Sequence, residues 1–454
     1  MNTIKIDVKK SIKRMILPTL SGMLVTFLFQ LVDTYFIGRL GTGALTAVSF
    51  TYPLYLGLIS LFIGLSSGIG AMVGQAFGEE DVHKTSELTF AGILLASISA
   101  LIIVGIALVS RFSVYDLLGA SRNLHPLIDA YMYIMILGMP LIMVALNMMA
   151  ALRSTGRVVL PEILMAISGL INLVLDWVLI LGFGPIKPMG VQGAAVATVI
   201  SWFFVFSSML ILLIKERLIR TSTVKVIVGR AIEIAKIGIP ASGIQLINPV
   251  AVALMTAVIA SESSEAVAAF GIAMKIESLG LAVVTALSVI LVPLMAKHFG
   301  AKEKDHMDQL VALSGKISVF WSLGLLAVLM VFGKGIAGIF TEDKTLIDLI
   351  YRYMIIVGFS YSLYSIGNIT LSLLNAVGES LLGLKLILLK QGVLLVPLLL
   401  IGRYFGIMGI FISISLTHII GGILIGNKFN KWLREHASKV ADVNLINEYF
   451  AWMK

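Results

Sequence analysis

Residues 88–110 read LTFAGILLASISALIIVGIALVS, an apolar run without one charged side chain. An α-helix rises about 1.5 Å per residue and needs about 20 such positions to cross the hydrocarbon core of a bilayer. Barrel strands would be about 10 residues long and would alternate polar with apolar positions, which this run does not. It reads as a membrane-spanning helix, and the same reading recurs along the chain. Spans are expected at 15–38, 47–76, 88–110, 127–151, 158–182, 190–214, 234–260, 266–296, 310–332, 346–375, 381–402 and 406–427. Composition agrees: of 454 residues, 58% are hydrophobic and 13% charged, with a mean hydropathy of +1.00. That is more apolar surface than a soluble core can hide. The expected fold class is an all-α integral membrane protein with twelve transmembrane helices, partnered by the lipid bilayer.

Basic residues in short loops mark the cytoplasmic side. Lys5, Lys9, Lys10, Lys13 and Arg14 precede the first span, and no small-residue cleavage site follows it, so that span reads as a retained helix. The 215–236 connection, the 297–304 loop with Lys297, Lys302 and Lys304, and the tail with Lys428, Lys431 and Arg434 share its side. An even number of spans then places both termini in the cytoplasm. Orientation accounts for the net charge of +9, and no nucleic-acid partner is expected. The chain has no cysteine, so disulfides, thiolate metal sites and thiol catalysis are excluded. None of the six histidines pairs at a helical ligand spacing such as i, i+4, and no phosphate-cradling G-x-x-x-x-G-K-[ST] segment occurs. Neither an enzyme nor a cofactor is expected.

The chain also repeats itself at an offset of 222 residues. Pro18 falls on Pro240, Ile37 on Ile259, Ala44 on Ala266, Phe77-Gly78 on Phe299-Gly300, Tyr131-Met132 on Tyr353-Met354 and Gly156 on Gly378. Further on the offset slips to 219, where Met189-Gly190 meets Met408-Gly409. Each repeat holds six spans in the same orientation, which predicts two six-helix bundles related by a pseudo-twofold axis along the membrane normal. The expected domains are an N-terminal lobe at 1–214, a cytoplasmic linker at 215–233 and a C-terminal lobe with its tail at 234–454. Two lobes of this kind suit alternating access, in which one half rocks against the other.

Polar residues deep in the spans break the symmetry. Asp33 corresponds to Met255, Asn172 to Leu394 and Asp176 to Leu398. Counted along spans 1 and 5, both acids lie roughly 8 Å below the outer boundary. Asn172 is one turn deeper on the same face as Asp176, and Thr198 of span 6 reaches the same layer. An aspartate inside a membrane costs about 2.5–3.5 kcal/mol on insertion scales, so a pair marks a task. Two carboxylates can share a proton; with an amide oxygen and a hydroxyl they form a hard-oxygen site for sodium. The plainer alternatives are that Asp33 caps the helix end or pairs with Arg39 near the interface and that Asp176 bonds Asn172 or Trp177 in packing. Lys275 and Glu277 are two residues apart and point to different faces. Lys385 and Lys390 are expected to snorkel or to face the cleft, while Gln245, Asn248, Asn368 and Asn375 read as packing.

Several of these stretches resemble the multidrug and toxic compound extrusion family of transporters. They are Val32-Asp33-Thr34-Tyr35-Phe36-Ile37-Gly38, Gly74-Gln75-Ala76-Phe77-Gly78, Ala151-Leu152-Arg153-Ser154-Thr155-Gly156, Asn172-Leu173-Val174-Leu175-Asp176, and the run from Gly190 to Thr198. The acids of spans 1 and 5 resemble the DNA-damage-inducible F-like and archaeal branch. The span-7 carboxylate of the sodium-coupled bacterial branch is missing, since Met255, Gln245 and Asn248 occupy that region. The resemblance implies antiport of sodium or protons against organic, cationic amphipathic compounds by a monomer in a prokaryotic plasma membrane. It implies a cation site at Asp33, Asn172, Asp176 and Thr198, which is a metal site only if sodium is the ion. It also implies substrate contacts at Phe29, Gln30 and Asn147 and a hinge in span 1 at Pro18. A lipid-linked oligosaccharide flippase of the same superfamily is the rival reading, but would be expected to line its first lobe with Arg or Lys where this chain has acids.

Overall fold

The structure, a computed structural model, describes residues 8–117 and 122–436, apart from the side chains of several positions between 26 and 53 and those of 264 and 436. With no water in a bilayer core, backbone amides and carbonyls must pair within their own segment, and the chain is accordingly almost all helix. In order these are α1 (Val8–Gly38), α2 (Thr42–Gly78), α3 (Val82–Leu117), α4 (His125–Ser154), α5 (Val159–Leu181), α6 (Val191–Lys215), α7 (Val224–Ala260) and α8 (Ser264–Gly280). There follow α9 (Ala282–Gly300), α10 (Lys304–Gly338), α11 (Lys344–Gly358), α12 (Tyr361–Ala376), α13 (Ser380–Leu388), α14 (Val396–Arg403) and α15 (Gly406–His436). A π-helical stretch, Leu389–Leu395, joins α13 to α14. Among the described residues the only strand-like pairing is one bridge, Phe183 to Ile186, in the loop after α5.

Among the described residues, eleven helical segments are long and apolar enough to cross a membrane, and α11 with α12, bent by 60° at their junction, completes twelve. The expected span 346–375 is thus a broken one. The expected span 266–296 is corrected as well. α8 ends at Gly280, Leu281 leaves helical geometry (φ −91°, ψ 8°), and α9 begins at Ala282. Glycine at the last position of α8 weakens the helix there, and only α9 of the two passes as a span by length and hydropathy.

The described residues form two compact units. One is Leu17–Ser242; the other is the chain up to Ile16 together with Gly243 onward. The chain crosses between them inside α1 and again inside α7, each time within two residues of Pro18 or its repeat mate Pro240. The 215–233 connection, expected as a linker, holds a loop and then the first turns of α7. The first half of α7 belongs to the first unit, so the compact units differ from the expected lobes by exchanged half-helices.

In the first unit α4 is central, packed on α2, α3 and α6, with Met132, Met135, Met139, Met143, Met148 and Met149 buried along it. In the second unit α12 takes that place, packed on α9, α10 and α15. The close packing has a sequence device. Gly64 and Gly68 on α2 face Ser242 and Gly238 on α7, two small-xxx-small pairs that let backbones touch. Ser242 Oγ donates to the carbonyls of Leu61 (2.5 Å) and Gly238 (2.9 Å), tying the crossing. A β-carbon at Gly64 would overlap the Ser242 backbone. Gly64→Val is expected to destabilise the protein by about 1–3 kcal/mol or more through overpacking, read as a lowered thermal midpoint in detergent. A midpoint equal to wild type would mean the two helices do not meet there.

Candidate functional site

One seam organises the candidate site. On α5, Glu162, Gly169 and Asp176 recur every seven residues, so they lie on one face about 10 Å apart per step. Each meets α1 in the same order. Thr19 Oγ1 donates to Glu162 Oε1 at 3.5 Å, the ring of Phe29 lies on Gly169 where any β-carbon would collide with it, and Asp33 lies within hydrogen-bonding reach of Asp176. The two helices therefore run side by side, and α1 is positioned by α5 along its length in the first unit.

At the C-terminal end of this seam sit the acids. Asp176 is 1% exposed. Both of its oxygens, and Oδ1 of Asp33, are buried without a hydrogen-bond partner among the described residues. Ionised carboxylates only accept hydrogen bonds. Two of them in reach of one another are therefore incomplete until a proton bridges them or a cation binds, and their oxygen donors fit a small hard cation. Among the described residues Asp33 forms no ion pair with Arg39, and neither Asn172 nor Trp177 bonds Asp176.

The two other predicted ligands meet each other. Asn172 Nδ2 donates to Thr198 Oγ1 at 3.4 Å, and Thr198 donates in turn to the carbonyl of Ala194 at 3.0 Å. Asn172 lies one turn before Asp176 on α5, and Thr198 reaches it from α6. Asn147 is fully buried on α4; its Nδ2 donates to Met143 O at 2.7 Å while Oδ1 has no partner among the described residues. Phe29 lies on the α1–α5 seam. The side chain of Gln30 lies outside the described residues. Pro18 sits inside a continuous helix.

Sequence reasoning missed Tyr131. It is buried on α4, in electrostatic range of Asp33, Asp176 and Tyr55, and Tyr55 stacks on Trp202 at 6.2 Å. Its match to Tyr353 reads as scaffold, so the comparison of unlike positions passed over it. Sequence reasoning also missed Glu162, which takes Arg153 Nη2 at 2.6 Å. The histidine spacing argument is corrected too. The turn between α9 and α10 folds His298, Glu303 and His306 together, their ligand atoms within 4.8 Å. Glu303 Oε2 already meets His298 Nδ1 at 2.5 Å and His306 Nδ1 at 3.3 Å, beside Lys297, Lys302 and Lys304, so the group reads as a charge-neutralised turn.

A helical protein of up to twelve spans, built from a six-span repeat with a buried aspartate pair in its first unit, has the make-up of a polytopic transporter. The MatE family model matches residues 18–178 and 240–401, once per repeat and starting at each of the paired prolines. The chain belongs to this family, the multidrug and toxic compound extrusion transporters. It is 34% identical over 420 residues, 90% of this chain and 91% of the relative, to the FAD transporter of Shewanella oneidensis. It is 26% identical over 425 residues, 92% of each, to multidrug export protein MepA of Staphylococcus saprophyticus. Its fold matches the crystal structure of the Vibrio cholerae transporter VcmN in the bent form with a TM-score of 0.89 at 27% identity, covering 94% of this chain and 97% of that one.

Proposed function

We propose that the protein is a cation-coupled efflux antiporter in which the Asp33–Asp176 pair is the coupling site. The observation that carries this is the set of buried carboxylate oxygens with no donor, which a proton or sodium ion completes and whose emptiness is costly in the membrane. Asn172 and Thr198 complete the ion's surroundings, Phe29, Gln30 and Asn147 contact the compound, and Pro18 is the bend through which ion binding reshapes α1. The two repeats, 1–214 and 234–454 joined through 215–233, serve as the moving lobes of a monomer, with both termini on the cytoplasmic side of a prokaryotic plasma membrane. A membrane potential of about 100 mV supplies about 2.3 kcal/mol per charge carried inward, enough to drive accumulation against a gradient.

Two compound classes are carried forward. The acids of the first unit favour an organic cation, as for a multidrug exporter. The identity to a protein named FAD transporter, together with a lysine buried in the second unit, favours an anionic flavin nucleotide. Proteoliposomes given a sodium gradient alone, or a pH gradient alone, test the coupling with ethidium and with FAD as probes. One gradient is expected to drive one of these compounds; uptake that ignores both gradients overturns the reading.

A further inference from the structure

The second unit holds a charged cluster of its own. Lys390 lies in the middle of the span formed by α13, the π-helical stretch and α14, and it is 5% exposed. Of the two expectations from sequence, snorkelling or facing the cleft, its burial removes the first. Its Nζ lies over the ring of Tyr364, 5.0 Å from the centroid. Among the described residues it makes no ion pair within 4.0 Å and no hydrogen bond. The anionic group that acts on it is Glu277, 7% exposed, whose Oε2 already accepts hydrogen bonds from Tyr353 (3.1 Å) and Tyr361 (3.2 Å). His418 closes the far side, its ring 4.7 Å from Tyr364 and its Nδ1 3.2 Å from Ser360 Oγ.

These contacts leave an ammonium with three donors and no acceptor. A cation–π contact contributes about 0.5–2 kcal/mol, whereas desolvating an ion costs several kcal/mol. The local backbone is also built around this residue. Leu389–Leu395 adopts the wide turn that recurs at functional sites; it ends two residues before Pro397, which has no N–H to offer an α-helical register. The stem of Lys390 lies on Gly421 of α15, where a β-carbon would be 2.6 Å from Cγ. Glu277 and Tyr353 stand one repeat offset from Tyr55 and Tyr131, so both units place ionisable groups at the same scaffold positions.

We infer that Lys390 is an anion-docking site of the second unit, taking a phosphate group of the exported compound, with Glu277 and its two tyrosines balancing the charge while the site is closed. This rests on the transport reading above, since a state of the cycle must open the site. It deepens that reading by giving the compound a phosphate.

The chain has no cysteine, so a thiol introduced at this position is unique. Purified protein in phosphatidylcholine nanodiscs is titrated with FAD, FMN and riboflavin by flavin fluorescence. A lost charge-assisted hydrogen bond corresponds to about tenfold or more in affinity. Wild type should therefore bind FAD and FMN at least about tenfold tighter than riboflavin, Lys390→Gln should lose that preference and Lys390→Arg should keep it. Lys390→Cys should lose it, regain it when an aminoethyl thiosulfonate restores an ammonium, and not regain it with the neutral methyl reagent. That rescue separates a charge role from a folding defect. Gly421→Ala, which displaces the stem, should weaken the preference. Phosphatidylglycerol in the nanodiscs names the source of the phosphate: competition identifies a lipid headgroup and no competition a solute, and both keep Lys390 as the dock. A wild type blind to phosphate, or a preference that survives Lys390→Gln, overturns the inference. Gradient dependence in Asp33→Asn proteoliposomes is scored separately. If that variant loses coupling while Lys390→Gln keeps the phosphate preference, only the docking site falls.

Discussion

Asp176→Asn abolishes gradient-driven export and leaves the protein at least as stable as wild type. The two halves of this expected result come from one feature. Both carboxylate oxygens of Asp176 are buried without a donor, so the ionised group contributes desolvation cost and no hydrogen bond to the fold. Asparagine removes that charge at nearly the same volume, and its amide can donate to Asp33. Stability should hold or rise, read as the thermal midpoint in detergent. Transport should fall to passive leak, because an ion shifts a conformational equilibrium only by its differential affinity for the two states, and a site left with one carboxylate, already satisfied by the asparagine amide, no longer needs the ion. Asp33→Asn should behave alike. Asn172→Ala removes one neutral hydrogen bond to Thr198, about 1 kcal/mol, and should slow export only about fivefold. Were Asp176 a packing residue, Asp176→Asn would show the opposite pattern, a lowered midpoint with transport kept; that outcome would sink the coupling assignment.

The spans, the repeat and the acid pair were legible because each rests on a one-dimensional regularity: apolar length, a fixed offset, or a charge where its repeat mate has none. What was not legible depends on how helices bend and meet. The break at Leu281 is silent in hydropathy, since glycine is common inside membrane helices and residues on both sides stay apolar. The 60° bend before Tyr361 is silent for the same reason. Lys390 looks in sequence like any lysine able to reach an interface; only the placement of Gly421 and Tyr364 against it shows that it stays inside. His298 and His306 are eight residues apart and meet because a turn lies between them. Tyr131 was visible as a conserved match between repeats, yet its nearness to the acids follows from α4 packing at the centre of its unit, which no spacing rule reports. The paired prolines gained meaning in the same way: as residues they are ordinary, but the chain leaves one compact unit for the other beside each of them.

The largest loss of stability is expected at the N-terminal end of the α1–α5 seam. Arg153 Nη2 meets Glu162 Oε1 at 2.6 Å, with side chains 17% and 7% exposed, and Arg153 Nε adds a second contact at 3.2 Å. Thr19, the neighbour of Pro18, donates to the same oxygen at 3.5 Å, and Gly22 brings α1 so close that a β-carbon would lie 2.5 Å from Glu162 Oε2. Glu162 is thus the group to which the N-terminal part of α1 around Thr19 and Gly22 is fastened, and Arg153 is the only cation paired with it among the described residues. Breaking a buried pair from one side leaves an uncompensated charge, so Arg153→Met should cost about 3–5 kcal/mol. Removing both partners leaves none: Arg153→Met with Glu162→Met should return stability to within about 1 kcal/mol of wild type or above it. The double-mutant cycle, read from unfolding in mixed micelles, isolates the pair. A single-variant loss under about 1 kcal/mol would place the bridge in the weak class of solvent-relaxed surface pairs, and α1 would then owe its position to Phe29 on Gly169 and to the acids alone.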